Sequence, residues 1–233
     1  MADSVFISSF FDRPEIQELF HSVFSTLMEE SDRGAVLIGA SHVDLHLRNL
    51  FETIGPQSMS RRELRRTLDY PGPLSTLSAK ADVALLTRLI SDHVHQAIHH
   101  LRRIRNDVAH SPDAFRLADH QHRLREMYEL LGPGLPSAIN RLAAELILRT
   151  AVESVLEVND PASDEPKPIF KNSAEVLDHF AKDTDLMATL DERRPKCELA
   201  LGVSFICSLI VYHRDGTKDL IGDSNMPFLT MKR

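Results

Sequence analysis

The sequence predicts an all-α protein, a multi-helix bundle core carrying a C-terminal helical extension. Apolar residues recur at spacings of three and four along nearly the whole chain, strict alternation is rare, and glycine is scarce, nine in 233 residues, and falls at breaks. Hydrophobic residues make up 42% and charged residues 26%, the balance of a soluble globular chain that is long enough to bury a core without disulfides or metal.

The first helix starts after Asp12, with Pro14 in its first turn where a missing N–H costs nothing, and runs to about Glu30 on the stripe Ile16, Leu19, Phe20, Val23, Phe24, Leu27. Ser31-Asp32 caps a second helix through Val36, Leu37, Ala40, Val43, Leu47, Leu50, Phe51 and Ile54, which stops at Gly55-Pro56. Ser60 to Leu68 reads as a short basic helix, and Asp69-Tyr70-Pro71-Gly72-Pro73 as a turn. Ser75 or Ser78 opens the next helix, carried by Leu77, Ala81, Ala84, Leu85 and Leu89. Ser91-Asp92 caps another that ends near His110, before Pro112. Four more helices are expected at about Phe115 to Leu131, Ser137 to Glu157, Ser173 to Leu190 and Arg194 to Tyr212. Asn159 to Pro168, with three prolines and three acidic residues, reads as a linker. This divides the chain into a helical core at 13–131, an extension at 135–213 that is free-standing or packed on the core, and a tail at 214–233 in which Arg214-Asp215-Gly216-Thr217 turns a hairpin or frays.

Cys197 and Cys207 are ten residues apart in one helix, roughly 15 Å along its axis, too far for a bridge between them. Met1 to Ser9 has no basic, apolar leader pattern, and the most apolar run, Leu199 to Tyr212, is 14 residues, short of the roughly 20 that span a bilayer. A cytoplasmic protein with no membrane partner is expected. The formal net charge of −7 excludes broad electrostatic coating of nucleic acid. The charge is uneven, however: Arg61 to Leu130 holds 12 basic and 9 acidic residues, leaving −10 for the remainder, and 7 of the 12 histidines lie in that window. Arg61, Arg62, Arg65 and Arg66 form a stripe at helical spacing, either a solvated face or a set of phosphate contacts. Phe6, Phe10, Phe11, Phe20 and Phe24 read as core or as a dimer surface.

The helix Ser91 to His110 carries the chemistry. Its stripe of Val94, Ile98, Leu101, Arg105 and Val108 puts a guanidinium where the pattern calls for an apolar side chain, so Arg105 is expected to be paired or to face a partner. Asn106 and His110 are i and i+4, with Arg102 one turn earlier on that face, so Asn106 can orient the His110 imidazole. Arg103 and Asp107 are spaced for an ion pair. Arg105 and His110 lie about 140° apart around the helix, so they serve one site only where the helix end unwinds or a second copy brings its own pair across a two-fold axis. Alternatively, Arg105 meets a buried acid such as Asp44 and His110 caps the helix C-terminus.

The string Gly72-Pro73-Leu74-Ser75-Thr76-Leu77-Ser78-Ala79-Lys80, followed by Leu89-Ile90-Ser91 and Ile104-Arg105-Asn106-Asp107-Val108-Ala109-His110-Ser111, resembles the mannitol operon repressor (MtlR) family. In that family a Gly-Pro-Leu-[Ser/Gly]-Thr-Phe-Ser-Ala-[Lys/Arg] loop precedes a helix ending in Ile-Arg-Asn-x-x-Ala-His-Ser; Leu77 stands where phenylalanine is usual. Arg33 to Leu50, with Asp44, is similar to that family's early helix, and the likeness covers about residues 30–118. The Arg-Asn-x-x-x-His string is also similar to the motif of the HEPN superfamily, many of whose helical members are metal-independent ribonucleases. The first resemblance implies a bacterial regulator of gene expression without a recognised helix-turn-helix, acting through protein–protein or nucleic-acid contacts. The second implies an endoribonuclease of a toxin–antitoxin or phage-defence system, with His110 assisting attack by a ribose 2′-hydroxyl, Arg105 stabilising the phosphorane and Asn106 positioning. Either implies a homodimer, with RNA, DNA, a regulatory protein or an antitoxin as further partner.

Other chemistries find less support. His42 and His46, and His95 and His99, are i,i+4 pairs that could each offer two metal ligands, but Val43 and Gln96 stand where a zincin needs glutamate, and no third ligand is evident in the sequence. Gly132-Pro133-Gly134 lacks the Lys-Ser/Thr of a phosphate loop, and no Gly-x-Ser-x-Gly elbow occurs. No cofactor or metal is expected.

Overall fold

The computed structural model describes residues 12–56, 58–110, 114–159 and 168–221. The fold is all-α: among the described residues the only β feature is an isolated bridge between Asn159 and Pro168. Phe6, Phe10, Phe11, most of the expected linker and the tail beyond residue 221 lie outside the described residues.

α1 (Pro14–Glu29) has Pro14 in its first turn and buries Ile16, Val23 and Leu27. α2 (Asp32–Ile54) is capped by the Ser31 hydroxyl, which accepts from the Gly34 N–H at 3.0 Å, and ends as the Gly55 N–H reaches the Phe51 carbonyl. α3 (Arg61–Leu68) has a reciprocal capping box, the Ser60 hydroxyl accepting from the Glu63 N–H while the Glu63 carboxylate accepts from the Ser60 N–H at 2.9 Å.

α4 (Leu77–Leu86) is capped by Thr76, not by Ser75 or Ser78, the Thr76 hydroxyl accepting from the Ala79 N–H at 3.2 Å. It also stops short of Leu89. Arg88 adopts φ 60°, the Leu89 N–H returns to the Ala84 carbonyl at 2.8 Å and the Arg88 N–H to that of Leu85 at 2.9 Å, the bond pattern of a Schellman stop built without glycine. α5 (Asp92–His110) is followed by a 3-10 turn at Leu117–His120 and α6 (Gln121–Leu131), so the helix expected from Phe115 forms only its later part.

α7 (Leu135–Leu156) precedes two short helices where one was expected: α8 (Ser173–Lys182) and α9 (Thr184–Glu192) are separated by Asp183, whose extended backbone breaks the run and whose carboxylate caps the second by accepting from the Leu186 N–H at 2.9 Å. α10 (Arg194–Ile221) continues through Arg214 to Ile221, where a tail or hairpin was expected. The Thr217 hydroxyl donates to the His213 carbonyl and Arg13 of the α1 cap pairs with Asp215 at 3.4 Å, both consistent with continued helix.

α10 packs along α2 and α1, and its Leu199, Val203, Ile206 and Ile210 belong to the same buried cluster as Leu27, Val36, Val43, Ile98, Ile104 and Met127. Phe20 and Phe24 pack against that cluster from its edge. By length and composition α10 could cross a membrane, but 72% of its most apolar stretch is buried inside the protein, as in a core helix. Cys197 and Cys207 are both buried as free thiols in it, and burial pushes the Cys197 thiol up to about 12. A second, smaller cluster of Val152, Val176 and Phe180 joins α7 to α8.

Candidate functional site

α5 turns its apolar row inward through Val94, Ala97, Ile98, Leu101, Ile104 and Val108. Ile104, rather than Arg105, fills the inward place between Leu101 and Val108, because a 3.6-residue repeat admits either a three- or a four-residue step there. Arg105 is therefore exposed, and its Nη1 donates to the neighbouring Asn106 Oδ1 at 3.2 Å. Asp44 does not meet it: Lys80 of α4, 2% exposed, donates from Nζ to both Asp44 carboxylate oxygens at 2.9 and 3.1 Å. Asp107 pairs with Arg123 of α6 at 2.7 Å instead of with Arg103.

Arg102, Arg105 and Asn106 share a cleft of about 460 Å³ with Ser41 and Asp44 of α2 and the Ser75–Ser78 entry to α4. The cleft is polar by construction. The Thr76 and Ser78 hydroxyls lie 3.3 Å apart, and the Arg102 Nε is buried without a hydrogen-bond partner. His110, the last residue of α5, is exposed and is not among the residues lining this cleft. The Arg33 guanidinium supplies the capping contact at this helix end, donating to the Val108 carbonyl at 3.0 Å. The chain thus brings Arg102, Arg105 and Asn106 together and leaves His110 apart.

A second groove, about 750 Å³, is lined by Arg61, Arg62, Arg65 and Arg66 on α3 and by Asp69 to Pro73. The groove has a fixed wall. Gly72 lies so close to α3 that a Cβ there would stand 2.2 Å from the Arg66 carbonyl oxygen, and the Leu74 N–H donates to the Thr67 carbonyl at 2.9 Å. The one carboxylate on the loop is already engaged, since Arg48 of α2 reaches Asp69 at 2.6 Å and Glu52 at 2.8 Å. Glu63 is turned to its own cap, and the hydrogen bonds from Ser60 hold its carboxyl below the usual range. Among the described residues none of the four arginines forms an ion pair, and Tyr70 projects beside them with 91% of its surface exposed. The same loop borders both openings, residues 69–73 the groove and 75–78 the cleft.

Among the described residues one group has metal-ligand composition: Asp82 of α4 with His95 and His99 of α5. Each imidazole Nε2 lies 2.8 Å from the same carboxylate oxygen, and the hydrogen bond from His95, reinforced by that from His99, lowers the Asp82 pKa from its ordinary value. The histidine pair was visible in the sequence at i,i+4 spacing. Asp82 was not, because 13 residues and a helix break separate it from His95. Lys80 and Tyr70 escaped for a similar reason, as their significance comes from what the fold places beside them.

No protein-family model matches the chain, and no curated protein or solved structure matches it.

Proposed function

We propose that this chain is a cytoplasmic regulator of gene expression of the mannitol-operon-repressor kind, and that it holds the phosphate backbone of a nucleic acid in the α3 groove. The observation that carries this reading is the set of four guanidiniums that line one groove with the exposed Tyr70 and, among the described residues, form no ion pair. Arginine forks match phosphate oxygens, and an exposed aromatic ring beside them offers a face for an unpaired base. The negative net charge confines such contact to this patch and suits recognition of a short site.

The test is fluorescence anisotropy with labelled single- and double-stranded oligonucleotides over a range of salt, using the parent and a variant with Arg61, Arg62, Arg65 and Arg66 all changed to glutamine. Four lost phosphate contacts should flatten the slope of log K against log salt by about 3. An unchanged slope, or no binding by the parent at low salt, would overturn the reading.

The alternative, a metal-independent endoribonuclease of a toxin–antitoxin or defence system, is favoured by a different observation: Arg105 and Asn106 open onto a polar cleft that also holds the unpartnered Arg102 Nε. A guanidinium there can hold a phosphoryl oxygen, and an imidazole can take the 2′-hydroxyl proton. Because His110 stands outside the cleft of its own protomer, this activity requires a homodimer in which the partner completes the site. Labelled RNA incubated in EDTA with the parent, His110→Ala and Arg105→Ala decides it: cleavage lost in both variants supports the nuclease, and intact RNA with the parent rejects it. A monomeric mass by light scattering would remove the shared site.

A further inference from the structure

We infer that Asp82, His95 and His99 form a binding site for a first-row transition-metal dication, with Zn²⁺ the best-matched ion, tying α4 to α5. The two imidazoles project from successive turns of α5, each about four-fifths buried, and both aim Nε2 at one oxygen of the Asp82 carboxylate at 2.8 Å. The three ligand atoms all lie within 4.8 Å of one another, and the two rings are 4.3 Å apart between centroids at 61°, so neither blocks the other's nitrogen. Two imidazole nitrogens and one carboxylate oxygen on a shared vertex are a donor set that zinc and its neighbours accept, with the remaining positions open to water or an exogenous ligand.

The fit can be gauged. Metal–ligand distances of about 2.0–2.1 Å in a tetrahedron separate ligand atoms by about 3.3 Å. The 2.8 Å contacts are tighter by about half an ångström, as expected where the N–H groups donate directly to the carboxylate. Metal entry displaces those protons, and the site must widen slightly. The largely buried imidazoles are held by α5, but Asp82 is 58% exposed and has room to swing outward by that amount. Its second carboxylate oxygen remains available for a fourth bond or for solvent.

The position gives the ion a consequence. Asp82 stands on the helix whose first turn, at Thr76 to Ser78, walls the polar cleft, while His95 and His99 stand on the helix that supplies Arg102 and Arg105. A bound ion would add a fixed link between these two walls, as the Lys80–Asp44 pair links α4 to α2.

The test uses the full chain, stripped with chelator and desalted. Isothermal titration with Zn²⁺ gives the stoichiometry, and titration with Co²⁺ gives the visible absorption of a low-symmetry, nitrogen- and oxygen-ligated ion. His95→Ala, His99→Gln and Asp82→Ala are compared with His179→Ala, a histidine on α8 outside the cluster. Glutamine at 99 can still donate to Asp82, so that variant separates loss of a ligand from loss of the fold, and circular dichroism checks each protein. One Zn²⁺ per chain with the Co²⁺ band present in the parent and in His179→Ala is expected, with affinity reduced at least about tenfold in the three ligand variants, since even outer-shell partners of a metal site are worth about 10–100-fold. Absence of saturable binding in the parent, or affinity in the three ligand variants equal to that of the parent, would overturn the inference.

Discussion

Lys80 shows how much a single buried charge can govern. Its ammonium is inside the protein and depends on Asp44, whose carboxylate is one-third exposed and lines the cleft. Asp44→Ala would strand the cation and is expected to cost about 3 kcal/mol in urea unfolding, whereas Lys80→Met, which removes the charge and keeps the chain length, should cost less than half as much. His46 on α2 is a second such residue. Burial, then the positive neighbours His42 and Arg214, hold its pKa at about 4, and its Nδ1 has no partner. Above pH 6.5 neither the folded nor the unfolded protein protonates this ring. Between pH 6.5 and about 4 the unfolded chain takes up a proton that the folded one refuses, so stability falls as the pH is lowered across that interval. The loss attributable to His46 is expected to be about 2–3 kcal/mol by denaturant unfolding at pH 7.5 and 4.5. His46→Gln should show a shallower decline, with the part due to His42, His100 and His213, all shifted the same way, remaining. An identical decline in the variant would remove His46 as its source. These partners were not legible in the sequence. The expectation that Arg105 meets Asp44 is not met, because Lys80 reaches Asp44 through the docking of α4 on α2, 36 residues away in the chain.

At the scale of elements, local signals were read with more success than continuity. The proline in the first turn of α1, the serines before α2 and α3, and Gly55-Pro56 after α2 sit where the structure uses them, since caps and stops depend on residues within four positions. The run from Ser173 to Leu190 was read through Asp183, and α4 through Arg88, because neither break contains glycine or proline. Gly202 was invisible in a different way. It lies inside α10, where alanine would ordinarily add about 1 kcal/mol of helix propensity. Here a Cβ would fall 2.2 Å from Cε1 of Tyr128, a ring that is fully buried and tethered by its hydroxyl to the Glu198 carbonyl at 2.9 Å. Gly202→Ala is therefore expected to lower stability by about 1–3 kcal/mol despite its better propensity, read as a fall in Tm. Adding Tyr128→Leu to that variant should restore part of the loss.

Across the whole molecule, the all-α class followed from the sequence, while the order of packing did not. Periodicity marks which face of α10 is apolar but not which helices it covers, and its target proved to be α1 and α2 at the other end of the sequence. A chain ending at Leu131, the limit of the core drawn from the sequence, would leave those faces bare. It is expected to lose cooperative thermal unfolding by circular dichroism, and a sharp transition in that fragment would show that α10 is dispensable. The arginine stripe was legible as charge, whereas the engagement of the neighbouring Asp69 by Arg48 was not, because it depends on how the loop docks on α2.

The docking of α10 on α1 and α2 also imposes a schedule on synthesis. About 140 residues lie between Ile54 and Arg194, so at roughly 5–20 residues per second a ribosome delivers the covering helix some 7–28 s after the helices it must cover. During that interval Val23, Leu27, Val36 and Val43 have no permanent neighbour on one side. The nascent chain therefore passes through a stage in which its earliest helices are sticky, and a holdase or the ribosome surface has a defined window in which to shield them.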